Sequence, residues 1–270
     1  MTRLVEADIN EVVIRLRQYD EELKQQIGHS LVEVAMHAVN LEKRVTDYKT
    51  AVVPVTSGLG IIDGFSDTVC GILKYCGIDA YVTQGTDVAG LQEAYGTGAE
   101  LVFMADDNIC SAFSIVGKPV FSDNGYATGT GFAAALTMGM KEKEEVLVMG
   151  AGPVGTAAAA YLDAQEIPVS VYDVLPEKAT KAVEGLTHAA VLKEGRKKHE
   201  FTYIFDGTPV GEVLSVSDVR KDTLIAAPGM PLGITEEGRK IATVIYNPLE
   251  LGIITMYFDC VKQLAGEGAV

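Results

Sequence analysis

The sequence predicts an α/β fold in two domains: an N-terminal helical hairpin with a small parallel α/β domain, then a doubly wound α/β half. Three observations predict it. From Thr50 onward, short Val- and Ile-rich runs alternate with segments of helix length, the pattern of parallel strands joined by crossover helices. A complete GxGxxG sits between a hydrophobic strand and an Ala-rich helix. The length, 270 residues, accommodates one large domain or two, at about 100 to 200 residues each.

Taken in order, Ile9, Val12, Val13, Leu16 and Tyr19 recur at helical spacing. Gly28 interrupts the stripe and Ser30 can cap a second one, carried by Leu31, Val34, Ala35 and Ala38. Ala51 to Val55, Ala80 to Thr83 and Leu101 to Met104 read as strands, with helices over Thr68 to Cys76 and Val88 to Tyr95 between them. An Ala-rich helix over Thr128 to Met140 and a charged stretch, Lys141 to Glu145, lead into five further strands. These are Val146 to Met149, Val169 to Asp173, Tyr203 to Asp206, Leu224 to Ala227 and Val244 to Tyr246. The boundary is expected near Asp123 to Ala127, giving domains 1–125 and 126–270, with the Ala-rich helix as bridge. No repeat or low-complexity tract appears.

Composition narrows the function classes. Hydrophobic residues make up 48% of the chain and charged ones 22%, with mean hydropathy +0.19, the profile of a globular protein. A net charge of −15 argues against nucleic acid as a partner, because a phosphate-binding face needs Lys and Arg. No apolar run reaches the roughly 20 residues that cross a bilayer, and Glu6, Asp8 and Glu11 break up any secretory core, so a cytoplasmic enzyme with no membrane partner is expected. Cys70, Cys76, Cys110 and Cys260 show no metal-ligand spacing, so free thiols and no metal site are expected.

The chemistry-bearing motif is MGAGPVG. Gly150, Gly152 and Gly155, with Pro153 and Val154 between them, follow one strand, open a helix and precede a second strand ending in Asp173, roughly 20 residues on. In a Rossmann domain the first glycine makes the turn, the second admits the pyrophosphate and the third lets helix pack on strand. Asp173 would accept hydrogen bonds from the adenosine ribose and repel a 2′-phosphate. No arginine follows it, so NAD is favoured over NADP. Thr208 and Pro209, after one strand, and Pro228, after the next, fall on the same face and are assigned to the cofactor. Plain turn chemistry accounts for those loops equally well.

In the first half, two loops follow strands: Thr56-Ser57-Gly58-Leu59-Gly60, and the one bearing Asp106 and Asp107. The paired carboxylates could hold an ammonium group or take its proton, and a solvated turn explains them too. The four histidines form no Ser-His-Asp set on a shared rim.

The order and spacing of PVTSGLGIIDGFS, FMADDN, SDNGYATG, MGAGPVG, DGTPVG, APGMP and NPLELG resemble the pyrrolysine synthase (PylD) family over nearly the whole chain. The resemblance implies NAD-dependent oxidation of the terminal amine of 3-methyl-D-ornithyl-Nε-L-lysine, loss of ammonia to a semialdehyde, and cyclisation to pyrrolysine. It implies a small dipeptide-like substrate met by Thr56, Ser57, Asp106, Asn247 and Glu250, with Asp106, Asp107, Ser57 and Asn124 as catalytic candidates. It also casts the first 41 residues as a lid over the substrate. One departure stands out. Where the family pattern has a glutamate before Pro-Leu, this sequence has Asn247, with Glu250 three residues on, which speaks against proton transfer at that position. A homodimer is expected only from the frequency of twofold symmetry. The rival readings are another two-domain NAD enzyme, such as an amino-acid, shikimate or methylenetetrahydrofolate dehydrogenase, and an idle NAD-binding sensor.

Overall fold

The computed structural model describes residues 12–61, 63–247 and 249–266. It divides into two compact units, Met1–Glu21 with Leu31–Ala127 and Leu249–Val270, and Glu22–Ser30 with Thr128–Pro248. This differs from the expected split at two places. The end of the first helix groups with the second unit, and the C-terminal helix groups with the first. Ile9 and the rest of the chain before residue 12 lie outside the described residues.

The first unit carries a five-stranded sheet of order β2-β1-β3-β4-β5, built from β1 (Thr50–Val53), β2 (Ala80–Val82), β3 (Leu101–Ala105), β4 (Cys110–Ser114) and β5 (Phe121–Asp123). The three strands legible in the sequence pair in parallel. β4 and β5, which the sequence pattern does not mark, add an antiparallel edge, so the sheet is mixed rather than wholly parallel. Their segments, CSAFS and FSD, are short and Ser-bearing, without the Val/Ile enrichment that marks a strand.

The helices of this unit begin with α1 (Val12–Ile27), whose residues to Glu21 belong here, and α2 (Leu31–Ala38). Leu16, Tyr19 and Leu23 form the buried stripe of α1, and Leu31, Val34, Ala35 and Ala38 that of α2. Gly28, at φ 82°, takes the left-handed turn that ends α1. At the start of α2 the Leu31 N–H donates to Asp20 Oδ1 at 2.7 Å, and Asp20 Oδ2 accepts from Tyr75 Oη at 3.1 Å. A buried carboxylate therefore ties the hairpin to α3 (Phe65–Tyr75).

Helix α4 (Asp87–Gly96) follows β2. Ala51, Val53, Ala94, Ala99 and Val102 form the core beneath it. The last helix, α9 (Glu250–Ala265), is buried at every position from Glu250 to Val261 and packs against α2, α3, β4 and β5. A helix apolar on all sides must be covered on all sides, and here that cover comes from elements far away in sequence.

The second unit holds a parallel six-stranded sheet of order β11-β10-β9-β6-β7-β8: β6 (Val146–Met149), β7 (Val169–Tyr172), β8 (Ala189–Val191), β9 (Tyr203–Asp206), β10 (Leu224–Ala226) and β11 (Thr243–Ile245). This is the doubly wound dinucleotide-binding order, reversing between β6 and β9. Five strands match the sequence reading, and β8 is an additional, exposed edge strand. Helices α5 (Asn124–Met138), α6 (Pro153–Ala164), α7 (Pro176–Ala182) and α8 (Glu236–Arg239) complete the described helices. α5 starts in the first unit and runs into the second. Its Gly129 lies so close to the Val154 carbonyl that a Cβ there would fall well inside van der Waals contact.

All four cysteines are buried free thiols, and burial pushes Cys76, Cys110 and Cys260 up to about 12. No helix among the described residues is long and apolar enough to cross a membrane.

Replacing Asp20 with alanine removes the acceptor of the Leu31 N–H in the buried hairpin turn. It should destabilise the fold by about 1–3 kcal/mol, read as a lowered urea midpoint at an unchanged m-value.

Candidate functional site

Backbone clearance builds the cofactor side of the second unit. The Met149 carbonyl closes β6 by accepting from Gly207 N at 2.9 Å, and Gly150 N donates to the Tyr172 carbonyl at 2.8 Å. Gly150 turns the chain at φ 85°. A Cβ there would lie 3.1 Å from Gly207 C and O and 3.2 Å from Thr208 N. At Gly155 a Cβ would overlap the Gly150 carbonyl, so only glycine lets α6 sit this close to the strand. Gly152 is the opposite case, with nothing within 4 Å of the place a Cβ would take. Pro153 takes the first helical position, where a missing N–H costs nothing.

The result is a helix N-terminus with open space in front of it, the shape and polarity a pyrophosphate needs. Asp173 lies just past β7. Its Oδ2 accepts from Ala151 N at 2.7 Å and its Oδ1 from Leu175 N at 2.9 Å. Each carboxylate oxygen has a second lone pair, so the acid can brace the glycine loop and still accept from a ribose hydroxyl. These features fit NAD.

Two more strand ends lie beside the glycine loop. After β9, Asp206 Oδ1 accepts from Thr208 N at 3.1 Å and Thr208 Oγ1 at 2.7 Å, with exposed Pro209 following. Burial pushes the Asp206 carboxyl above its ordinary range, against the two Thr208 hydrogen bonds and the charge of Lys198. After β10, Pro228 precedes Gly229, whose missing Cβ leaves room for the Thr208 carbonyl.

In the first unit, strand register gathers the substrate-side candidates. Val53 pairs with Met104, Met104 with Ser111 and Ser111 with Asp123, one row across four strands. The segments just beyond that row share one sheet edge: the Thr56–Gly60 loop, the Asp106–Asp107 loop, and Asn124, first residue of α5. Thr56 donates to Asp87 through its N–H at 2.9 Å and its hydroxyl at 2.6 Å. The Thr56 hydroxyl, then its N–H, hold the Asp87 carboxyl below the usual range, and Asp87 itself adopts a left-handed φ of 52°. Leu59 N donates to Asp107 Oδ2 at 2.6 Å, and Gly58, at φ 71°, leaves no room for a Cβ against that oxygen. Ser57 is thus exposed at the tip of a turn held by a carboxylate on each side.

Asp106 Oδ1 accepts from Asn108 N at 2.7 Å and Ile109 N at 2.8 Å, and these two bonds hold its carboxyl below the usual range. An exposed, firmly ionised carboxylate holds an ammonium group well and accepts its proton poorly. Glu250 is elsewhere in this unit, buried at the start of α9, where its Oε2 accepts from Leu249 N at 3.2 Å and burial raises its carboxyl. Asn247 is buried past β11 in the second unit.

Sequence reasoning gave no role to Asp87, and took Asp206 only as the first residue of a strand-end loop on the cofactor face. Each left a faint signal: an acid behind a threonine at a helix start, and an acid closing an otherwise apolar strand, YIFD.

Residues 8–120 match the family model for the N-terminal domain of the pyrrolysine biosynthesis protein PylD. The pyrrolysine synthase of Methanosarcina acetivorans is 33% identical over 214 residues, 78% of this chain and 82% of that protein. That of Methanosarcina barkeri is also 33% identical, covering 78% of this chain and 80% of its own. Among solved structures, the quinate dehydrogenase from Corynebacterium glutamicum in complex with NAD superposes with TM-score 0.54 at 14% identity, covering 79% of this chain and 93% of that one. A shikimate dehydrogenase in complex with NADP+ gives TM-score 0.52 at 11% identity, covering 82% and 94%. At such identities the likeness is one of fold alone.

Because a methyl at Gly152 meets no protein atom, Gly152→Ala should fold within about 0.5 kcal/mol of the native protein yet weaken NAD binding about tenfold or more. Paired thermal melts and NAD titrations check this. Equal affinity in both proteins would place the pyrophosphate elsewhere.

Proposed function

The chain belongs to the pyrrolysine synthase family, and from that premise we propose that it is an NAD-dependent dehydrogenase that oxidises the terminal amine of 3-methyl-D-ornithyl-Nε-L-lysine. The observation that carries the cofactor half of this reading is the contrast between Gly152, which faces open space, and Gly155, which faces backbone. That contrast leaves a cradle for a pyrophosphate at a helix N-terminus. NAD supplies a hydride acceptor when bound.

The chemistry balances without another oxidant. The carbon bearing the amine gives up a hydride and its nitrogen a proton, leaving an imine. Water then adds and ammonia leaves, giving the semialdehyde. The α-amine of the ornithine part condenses with that aldehyde, releasing water and closing the pyrroline ring of pyrrolysine.

The chain's own residues bind and orient. In this reading Asp106, held ionised, takes an ammonium group of the substrate, the ornithine α-ammonium being the natural choice because it stays charged while the terminal amine is oxidised and gives its proton to water only for ring closure. Asp107 fixes the turn that presents Ser57, and Thr56 is fixed by Asp87. Ser57 and Asn124, on the same sheet edge, orient the reacting amine or the water that attacks the imine. Asn247 and Glu250 are the remaining substrate-side candidates. Glu250, with its carboxyl raised by burial, is better suited to accept a proton than Asp106. Asp173 sets the preference for NAD by opposing a 2′-phosphate.

The purified protein, given NAD and the methylornithyl-lysine dipeptide, should form NADH with release of ammonia and a cyclic imine product by mass. NAD binding with no turnover of that dipeptide would reject the substrate assignment alone. Asp106→Ala and Asp107→Ala should each lower turnover about 100-fold with NAD affinity nearly intact, and full turnover in both would remove that loop from the reaction. Asp106 has a depressed carboxyl and is ionised at every working pH. Turnover should therefore climb with pH toward the substrate amine's own value, about 10, with no acid limb from Asp106 above about pH 5.

A further inference from the structure

We infer that Asp206 is a positioning residue: it clamps the Gly207–Thr208 turn against Gly150 and Gly233 and so sets the wall of the crevice on its nicotinamide side. The inference rests on the cofactor reading above. It concerns a side chain that this reading does not use.

Asp206 ends β9, the strand next to β6 at the point where the sheet order reverses. A dinucleotide lies across that reversal, and the acid past β7 takes its adenosine end, so the β9 side receives the nicotinamide end. At this position Asp206 is only 1% exposed. Oδ1 makes both hydrogen bonds to Thr208. Oδ2 is fully buried with no hydrogen-bond partner among the described residues. It rests on Gly233, where an added Cβ would overlap it and would also lie 3.1 Å from Val213 Cγ2.

Gly233 cannot easily retreat, because its carbonyl accepts from Leu214 N at 2.8 Å. On the other side the Thr208 carbonyl occupies the space a Cβ at Gly229 would need. The charged group facing Asp206 is Lys198, whose Nζ donates to the Val213 carbonyl at 2.6 Å.

An Asx turn on a surface loop needs no burial, since water serves the second oxygen. Burying a carboxyl is costly, and here it is buried where Oδ1 holds Thr208 and Oδ2 packs on Gly233. The geometry so held is that of three strand-end loops meeting through glycines at 150, 229 and 233. A shift of Gly207–Thr208 would carry the crevice wall with it.

The test separates the two ends of the cofactor. ADP-ribose contains the adenosine end and lacks nicotinamide, so Asp206→Ala should raise the Kd for NAD about tenfold while that for ADP-ribose changes less than about twofold. Asp206→Asn keeps an oxygen for Thr208 and should restore NAD binding to within about threefold of native. Gly233→Ala should reproduce the Asp206→Ala split. In the Asp206→Ala background, where the carboxyl is gone, it should add little, a non-additivity that independent sites do not give.

Unchanged NAD affinity in Asp206→Ala, parallel loss of NAD and ADP-ribose, equal defects in the Asn and Ala variants, or additive effects in the double variant would each overturn the inference. Native protein that binds neither ligand would overturn the cofactor reading itself, and this inference with it. Thermal melts of every variant identify a general folding defect, which also counts against a positioning role.

Discussion

Backbone lying against backbone, at distances no side chain tolerates, is the constraint on which the second unit depends. Gly155 lets the first turn of α6 reach the Gly150 carbonyl, Gly150 lets β6 turn beneath Gly207, and Gly229 and Gly233 admit the Thr208 carbonyl and the Asp206 carboxyl. Because all of these contacts but the one with the Asp206 carboxyl are main chain on main chain, they leave N–H groups and an open space at Gly152 facing outward, which side-chain packing would have filled. The first unit solves the same problem differently. Its strand-end loops are held by carboxylates, Asp87 on Thr56, Asp107 on Leu59 and Asp106 on its own following residues. That arrangement leaves fixed negative charge at the rim, where the other unit leaves uncharged donors.

This contrast reconciles a net charge of −15 with an anionic cofactor. Recognition of phosphate by N–H groups and a helix dipole acts over the first turn only, so it is insensitive to the sign of the distant surface. An acidic rim and an acidic chain, meanwhile, favour the approach of a cationic amine through their long-range field. Asp173 joins the two patterns, a carboxylate that braces the glycine loop beside the helix N-terminus.

What the sequence revealed tracks the range of the interactions. The glycine motif, its flanking strands and the terminal acid lie within one short stretch, and their chemistry is local, so they could be read from spacing. The first three strands of the other unit were visible because Val and Ile mark them. β4 and β5 were not, since Ser-rich segments form strands there only because β3 offers them a ladder. β8, Ala-Ala-Val, is an exposed edge too short to show a strand period. α9 went unread, and nothing in a one-dimensional pattern says which distant elements cover its apolar run. The clamps by Asp87 and Asp206 were hidden for a related reason. An aspartate at a strand end or a helix start has an ordinary local explanation, and only the third dimension shows that its second oxygen is buried or that it grips another loop.

The grouping of α9 with the first unit has a consequence for how the molecule is made. In chain order the parallel six-stranded sheet is complete at Ile245, whereas the mixed sheet, started much earlier, still lacks the helix that packs on β4 and β5. On the ribosome the later unit therefore has all its strands before the earlier one has its cover, the reverse of the usual N-terminal-first order. Until Leu251 through Val261 emerge, the apolar residues of α2 and α3 that they shield stay open to water and to other nascent chains. The earlier unit thus waits for α9, and a ribosome stalled just short of that helix would leave those apolar faces uncovered.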